Sequence, residues 1–169
     1  MPVRPQLRVR PALGARHPGE QRRHRQHLQL LPFDGREPPW AAGSFDRVLL
    51  DAPCTGLGAL RRRPEVRWRR TTADVPPLVE LQTALLDSAV RSVRVGGVVA
   101  YVTCSPHIVE TQVTVTEGAR RSGVDVDFVD ARPLLPPGMP HLGPGPTVQL
   151  WPHRHGTDAM FLAVLRRTS

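Results

Sequence analysis

Two cysteines occur in the chain, and each stands just past an apolar run, beside a proline: Cys54 in "LLDAPCTGLG" (49–58) and Cys104 in "VVAYVTCSPH" (98–107). A buried cysteine is ordinarily inert packing, but these two lie beyond the apolar runs rather than within them. Three chemistries are open to such a pair. A redox couple would favour a C-x-x-C spacing, which is absent. A hydrolase would need a histidine partner, and although His107 is near Cys104 and His141, His153 and His155 cluster later, no spacing singles out a triad. The third is covalent catalysis on a pyrimidine. Cytosine C5 is a poor nucleophile until a thiolate adds at C6 and makes C5 enamine-like, able to attack an electrophilic methyl group. The C5 proton must then be removed so that the thiol can leave. That chemistry needs an attacking thiolate, a proton acceptor and an acid to hold the base edge. The residues alone leave open which thiol attacks.

The elements that would position these groups can be read from the apolar pattern. "RVLLDAP" (47–53) reads as a buried parallel strand, a short apolar run without alternation. "PPLVELQTALLDSAVRSVRVGG" (76–97) reads as a helix opened by Pro76 and Pro77, with Leu78, Leu81, Leu85, Ala89 and Val93 on one face and Gly96-Gly97 as its stop. "VVAYVTCS" (98–105) reads as a second buried strand, "HIVETQVTVTEGARRSG" (107–123) as a helix weakened by β-branched residues, and "VDVDFVDAR" (124–132) as a strand. After a stretch rich in proline and glycine (133–156), "AMFLAVLRR" (159–167) gives a closing strand. Alternating strands and helices predict an α/β sheet, and ligands of such sheets collect at the carboxyl ends of parallel strands. Asp51, Cys54 and Cys104 all fall at such ends.

Composition narrows the class. A chain of 169 residues can build one domain with a core. All its basic residues are arginine, and the formal net charge of +8 favours polyanionic partners, though an ordinary basic protein has the same balance. Two cysteines make no disulfide framework, no Cys/His cluster has zinc spacing, and no metal is expected. Neither a signal peptide nor a membrane-length apolar run is evident, so a cytoplasmic setting is the default. Residues 1–30 hold seven arginines and one acid, Glu20, without sustained periodicity. They are expected to be disordered or loosely attached, and read as a non-native start in preference to a basic RNA-binding arm. Residues 31–169 form the folded part.

Taken together, "FDRVLLDAPCTGLGALRRRPEVRW" (45–68), "VAYVTCSPHIVE" (99–110) and "HRHGTDAMFLAVLRR" (153–167) resemble the Sun/Fmu family of S-adenosylmethionine-dependent RNA 5-cytosine methyltransferases, whose bacterial RsmB-type members modify 16S ribosomal RNA. The resemblance runs from about Phe33 to Arg167. It implies that Cys104 is the nucleophile, that Cys54 assists release of the methylated base, and that Asp51 holds the cytosine edge. It further implies S-adenosylmethionine as cofactor, with Asp34, Asp51 and Pro53 as binding residues, and ribosomal RNA as partner of a monomer. Ala159 and Met160 stand where the family more often has Gly and Phe. The family's glycine-rich loop, its ribose-binding acid and its N-terminal RNA-binding domain have no counterpart here. The expected architecture is therefore the C-terminal portion of a Rossmann-like class I methyltransferase sheet, strands four to seven with a remnant of the third near "LQLLPF", its first strands and glycine-rich loop missing.

"RRRPEVRWRR" (61–70) follows the Cys54 loop directly. Arg61, Arg62, Arg63 and Arg67 with Trp68 suit phosphate contact and base stacking on an RNA strand, against the alternative of a solvated loop. Glu110 reads as serving the first turn of the helix after Cys104, without a chemical role, and Trp40 and Trp151 read as packing residues. Two other functions remain open: a non-catalytic RNA-binding remnant, and an amino-methyltransferase, since D-A-P-C loosely resembles a D/N-P-P-Y motif.

Overall fold

The computed structural model describes residues 33–169 and a two-residue strand at Arg8–Val9; the expectation of disorder over residues 1–30, and the strand remnant near "LQLLPF", otherwise fall outside the described residues. Six strands form one sheet: β1 (Arg8–Val9), β2 (Phe45–Asp51), β3 (Val93–Thr103), β4 (Val126–Val129), β5 (Val148–Gln149) and β6 (Phe161–Arg167). The order is β1-β2-β3-β6-β4, with β5 also paired to β6. β2 and β3 are parallel, and β6 lies antiparallel between β3 and β4. The expected α/β class and strand sequence are both present.

The main crossover from β2 to β3 is α2 (Val75–Ser92), preceded by the single turn α1 (Val66–Arg69). Proline in the first turn of α2 lacks only an N–H that the helix would leave unpaired. Leu85, Leu86, Ala89 and Val90 are buried, so the apolar stripe is turned slightly from the predicted one, and Leu78 and Leu81 are only half-buried. A second helix, α3 (Gln112–Arg121), links β3 to β4, and a short α4 (Pro152–His155) precedes β6. The core joins Val48, Leu50, Val99, Tyr101, Phe161 and Leu165 of the sheet to Leu85, Leu86, Ala89 and Val115 of the two helices. The opposite face of the sheet is covered by the 131–150 segment through Ala131, Leu135, Leu142 and Val148. On β2 Leu49 is exposed, so the run read as uniformly buried alternates instead.

Three boundaries differ from the sequence reading. α2 ends at Ser92, not at Gly96-Gly97, because Val93 is already extended. The glycines belong to β3, where pairing jumps from Phe45↔Val93 to Arg47↔Val98 and Arg94–Gly97 bulges opposite Asp46 alone. Gly96 takes a left-handed φ of 79°, and a Cβ on Gly97 would meet the Arg94 and Asp46 carbonyls at 2.8 and 3.0 Å, so the bulge requires both. Second, the helix expected from residue 107 begins at Gln112, after a 3-10 turn over Ile108–Glu110. Third, β4 spans only Val126–Val129 of the predicted 124–132. Trp40 packs as expected, edge-on to Phe33 and Phe45 with ring centroids at 4.8 and 5.1 Å, and its Nε1 donates to Ser92 Oγ at 2.8 Å.

α3 rests on α2 through Gly118, whose Cβ, if present, would lie 2.8 Å from Leu86 Cδ2. Gly118→Val overfills this contact and is expected to lower the unfolding free energy by about 1–3 kcal/mol in urea titration. No loss would mean that the two helices can separate without cost.

Candidate active site

The parallel register carries both cysteines to one edge. Asp51, the last residue of β2, pairs with Val102, and Ala52 N–H donates to Val102 carbonyl at 2.9 Å. Three residues past Asp51 and two past Val102, Cys54 and Cys104 meet with sulfurs 3.3 Å apart, unbonded. Asp51, Pro53, Cys54 and Cys104 share an open cleft of about 670 Å³ with Arg63, Glu65, Arg69 and Arg70. The side chains expected to act on a base thus stand together, with arginines on the rim.

The two thiols are not equivalent. Cys54 lies deeper, and the hydrogen bond shared by the two sulfurs holds the Cys104 thiol down at about 7, even though burial and the carboxylates of Asp51 and Asp158 oppose this. The same contact, together with burial, pushes Cys54 well above the ordinary thiol range. Cys104 is therefore the thiol of the pair that ionises first, and once it has done so Cys54 is the donor of their hydrogen bond. A thiolate is the competent nucleophile.

Three loops are laced around this pair. Gly58 N–H donates to the Cys104 carbonyl and Ala159 N–H to the Gly58 carbonyl, both at 2.9 Å. A Cβ at Gly58 would strike the Ala159 and Cys104 carbonyls, which is why the Cys54 loop carries glycine here. Buried Asp158 accepts from Arg61 Nε and Arg62 Nε at 2.8 Å each, and from Arg62 Nη2. Those guanidinium groups, Arg62 first, hold its carboxyl at about 2.

The arginine run is thereby divided. Arg61 and Arg62 have part of their donor fork committed to Asp158, a structural tie that the sequence reading did not include. Arg63 sits 3.5 Å from Glu65. Arg67 and Arg69 have no carboxylate partner among the described residues, and Trp68, with 82 % of its surface exposed, leaves an indole face open to solvent. Within the run read as phosphate-binding (61–63, 67, 69 and 70), Arg63, Arg69 and Arg70 line the cleft whereas Arg67 does not.

Of the cofactor residues implied by resemblance, Asp51 and Pro53 are in the cleft and Asp34 is not. The Asp34 carboxylate is closed onto Arg36, accepting from Nε at 3.0 and 3.1 Å and from Nη2 at 2.6 Å, and this pairing holds it at about 2. The residue that sequence reasoning missed is Glu110. It is fully buried, and its carboxylate accepts hydrogen bonds from both cysteine loops. Among the described residues there is no cluster of His, Cys, Asp or Glu suited to a metal ion, and no helix long and apolar enough to cross a membrane.

A parallel strand pair with its chemistry at the carboxyl ends, closed by an antiparallel β6 inserted before β4, defines part of a methyltransferase-type α/β sheet. Residues 18–166 match the family described as 16S rRNA methyltransferase RsmB/F. The chain belongs to this family. It is 59 % identical over 140 residues to a Mycobacterium tuberculosis (H37Rv) protein named as a methyltransferase, covering 83 % of this chain and 30 % of that one. It is 37 % identical over 145 residues to ribosomal RNA small subunit methyltransferase B of Pectobacterium carotovorum, covering 85 % and 32 %. Among solved structures, NSun6 from Pyrococcus horikoshii with SFG superposes with a TM-score of 0.66 at 29 % identity, over 83 % of this chain and 35 % of that one. PH0851 superposes with a TM-score of 0.72 at 32 % identity, over 84 % and 32 %. The chain spans about a third of the length of these relatives.

The inequality of the thiols has a direct consequence. Alkylation of Cys104 by iodoacetamide, resolved by peptide mass spectrometry, is expected to rise with pH through a midpoint near 7 and level off about one unit above it, because only the thiolate reacts. Cys54 is expected to react slowly throughout this range. A reversed order of midpoints would assign the thiolate to Cys54.

Proposed function

We propose that this chain carries the catalytic thiols of an S-adenosylmethionine-dependent methyltransferase acting on C5 of a cytosine in 16S ribosomal RNA. The observation that supports this most is the pairing of two cysteine sulfurs 3.3 Å apart in one cleft with Asp51. Packing needs no such arrangement, and an amino-methyltransferase has no use for a thiolate at Cys104.

On this reading the Cys104 thiolate adds to cytosine C6, and the ring electrons move to C5. Asp51, exposed at the cleft wall, lies where it can hold the N3 and amino edge of the base as charge moves through the ring. S-adenosylmethionine, when bound, supplies an electrophilic methyl group. On this reading Asp51 and Pro53, which line the cleft, would contact it, whereas Asp34 would first have to release Arg36; a related chain solved with SFG, an analogue of this cofactor, supports the choice of cofactor. After transfer, the C5 proton passes to water in the open cleft, its bonding pair re-forms the C5=C6 double bond, and the Cys104–C6 pair returns to the sulfur as thiolate. Cys54, at 3.3 Å, lies within reach of the departing sulfur and assists this elimination.

The test uses a protein of the relatives' full length carrying this segment. Cys104→Ala should give neither methyl transfer nor a covalent protein–RNA species. Cys54→Ala should methylate and then stall, leaving an adduct that survives denaturing electrophoresis. An adduct in Cys104→Ala and none in Cys54→Ala would reverse the roles of the two thiols.

The RNA strand itself is held, on this proposal, by Arg63, Arg67, Arg69 and Arg70, with Trp68 available for stacking. Replacing Arg63, Arg69 and Arg70 by alanine should flatten the slope of log affinity against log salt by about two units on the single-strand scale. Arg61 and Arg62 replacements should act mainly through the loss of the Asp158 tie. An unchanged slope in the triple variant would make the run a solvated loop.

A further inference from the structure

Glu110 has none of its surface exposed, yet it is a carboxylate, and every hydrogen bond its oxygens accept comes from the framework of the thiol pair. Oε1 accepts from Thr55 N–H at 2.8 Å and from Gln82 Nε2 at 3.0 Å. Oε2 accepts from Thr55 Oγ1 and Ser105 Oγ, each at 2.6 Å. Thr55 is the residue after Cys54, and Ser105 the residue after Cys104. One carboxylate therefore bonds the immediate neighbours of both sulfurs, which lie 50 residues apart in the chain.

The clamp is itself anchored. Gln82 on α2 also donates to the Pro53 carbonyl at 2.8 Å, one residue before Cys54. Tyr101 Oη, buried in the sheet, donates to the Glu110 carbonyl at 2.8 Å and fixes the main chain there. Ser105 Oγ accepts from His107 N–H at 3.1 Å, which shapes the turn leading back to Glu110. Four donors around two oxygens leave the carboxylate no capacity to accept a further strong bond, and its burial keeps it from substrate. Direct acid–base work is excluded by the same geometry. An apolar contact would close two loops at lower desolvation cost, so a buried carboxylate at this point is poorly explained by stability alone.

We infer that Glu110 is a positioning residue, which sets the Cys54 and Cys104 loops so that the Cys54 S–H meets the Cys104 sulfur. The inference rests on the reading of Cys104 as the attacking thiol. Without the clamp the loops part, the donated hydrogen bond is lost, and Cys104 returns toward an ordinary thiol. The sign is diagnostic. Removing a negative charge alone would make nearby thiols easier to ionise, not harder, so a rise in the Cys104 midpoint reports geometry. Glu110→Gln keeps an acceptor and lets the two hydroxyls turn to accept from its amide, so it should largely preserve the pair.

The experiment is peptide-resolved iodoacetamide alkylation of the 169-residue chain across pH, with circular dichroism confirming that each variant is folded. It needs neither RNA nor cofactor. Glu110→Ala should move the Cys104 midpoint up toward the ordinary value of about 8.5 and slow alkylation at pH 7 by about tenfold, through the lost thiolate fraction. Glu110→Gln should restore most of the wild-type profile. Ser105→Ala cuts only the tie to the Cys104 loop and should give an intermediate rise, which keeps the test open if Glu110→Ala does not fold. A wild-type profile in folded Glu110→Ala or Ser105→Ala, or a fall in the midpoint, would overturn the inference. If instead the shifts appear but the full-length protein forms no Cys104-dependent adduct with RNA, positioning stands and the proposed methyl transfer fails.

Discussion

The parallel register between β2 and β3 is the constraint on which the site depends. Pairing Asp51 with Val102 puts the ends of the two strands level, so that three residues past Asp51 and two past Val102 bring Cys54 and Cys104 into contact. A slip of one residue would turn every side chain on one strand to the other face, sending Val48 and Leu50 out of the core and the cysteine loop out of line. The register is therefore enforced by the same apolar contacts that build the core. α2 is the covalent means of making it, because two parallel strands need a crossover, and its buried face seals the pair from one side.

Above the strands, polar contacts take over the work of precision. Glu110 ties Thr55 to Ser105, Gly58 bridges Cys104 to Ala159, and Asp158 gathers Arg61 and Arg62. These contacts join segments of the chain as distant as Gly58 and Ala159 around the two thiols. The electrostatic outcome is a lowered Cys104 beside a raised Cys54, two identical side chains made chemically different by depth and by the direction of one shared proton. That difference suits the proposed reaction, in which one thiol attacks and the other donates to the sulfur as it leaves.

Much of this was legible from residue order. Apolar runs located β2, β3 and β6, and the position of Asp51, Cys54 and Cys104 beyond those runs predicted a site at the strand ends. What escaped the sequence were features set by partners distant in the chain. Glu110 looks like a first-turn acid because its four donors come from Thr55, Gln82 and Ser105, none identifiable by local spacing. Arg61 and Arg62 look like free cations because Asp158 is nearly a hundred residues away. Gly96-Gly97 looks like a helix stop because a strand bulge leaves the same local signature as a cap. Local propensity reports the element; only the packed sheet reports which groups are already paired.

In the proposed reaction Cys104, not Cys54, forms the bond to cytosine. The most direct measurement is mass spectrometry of the peptide attached to RNA bearing 5-fluorocytosine at the modified position, using a full-length protein that carries this segment with S-adenosylmethionine. Fluorine at C5 cannot leave as a proton, so the adduct formed by attack persists after methyl transfer. The account predicts the nucleobase on the peptide containing Cys104, bonded through its sulfur. Attachment to the peptide containing Cys54 would contradict it.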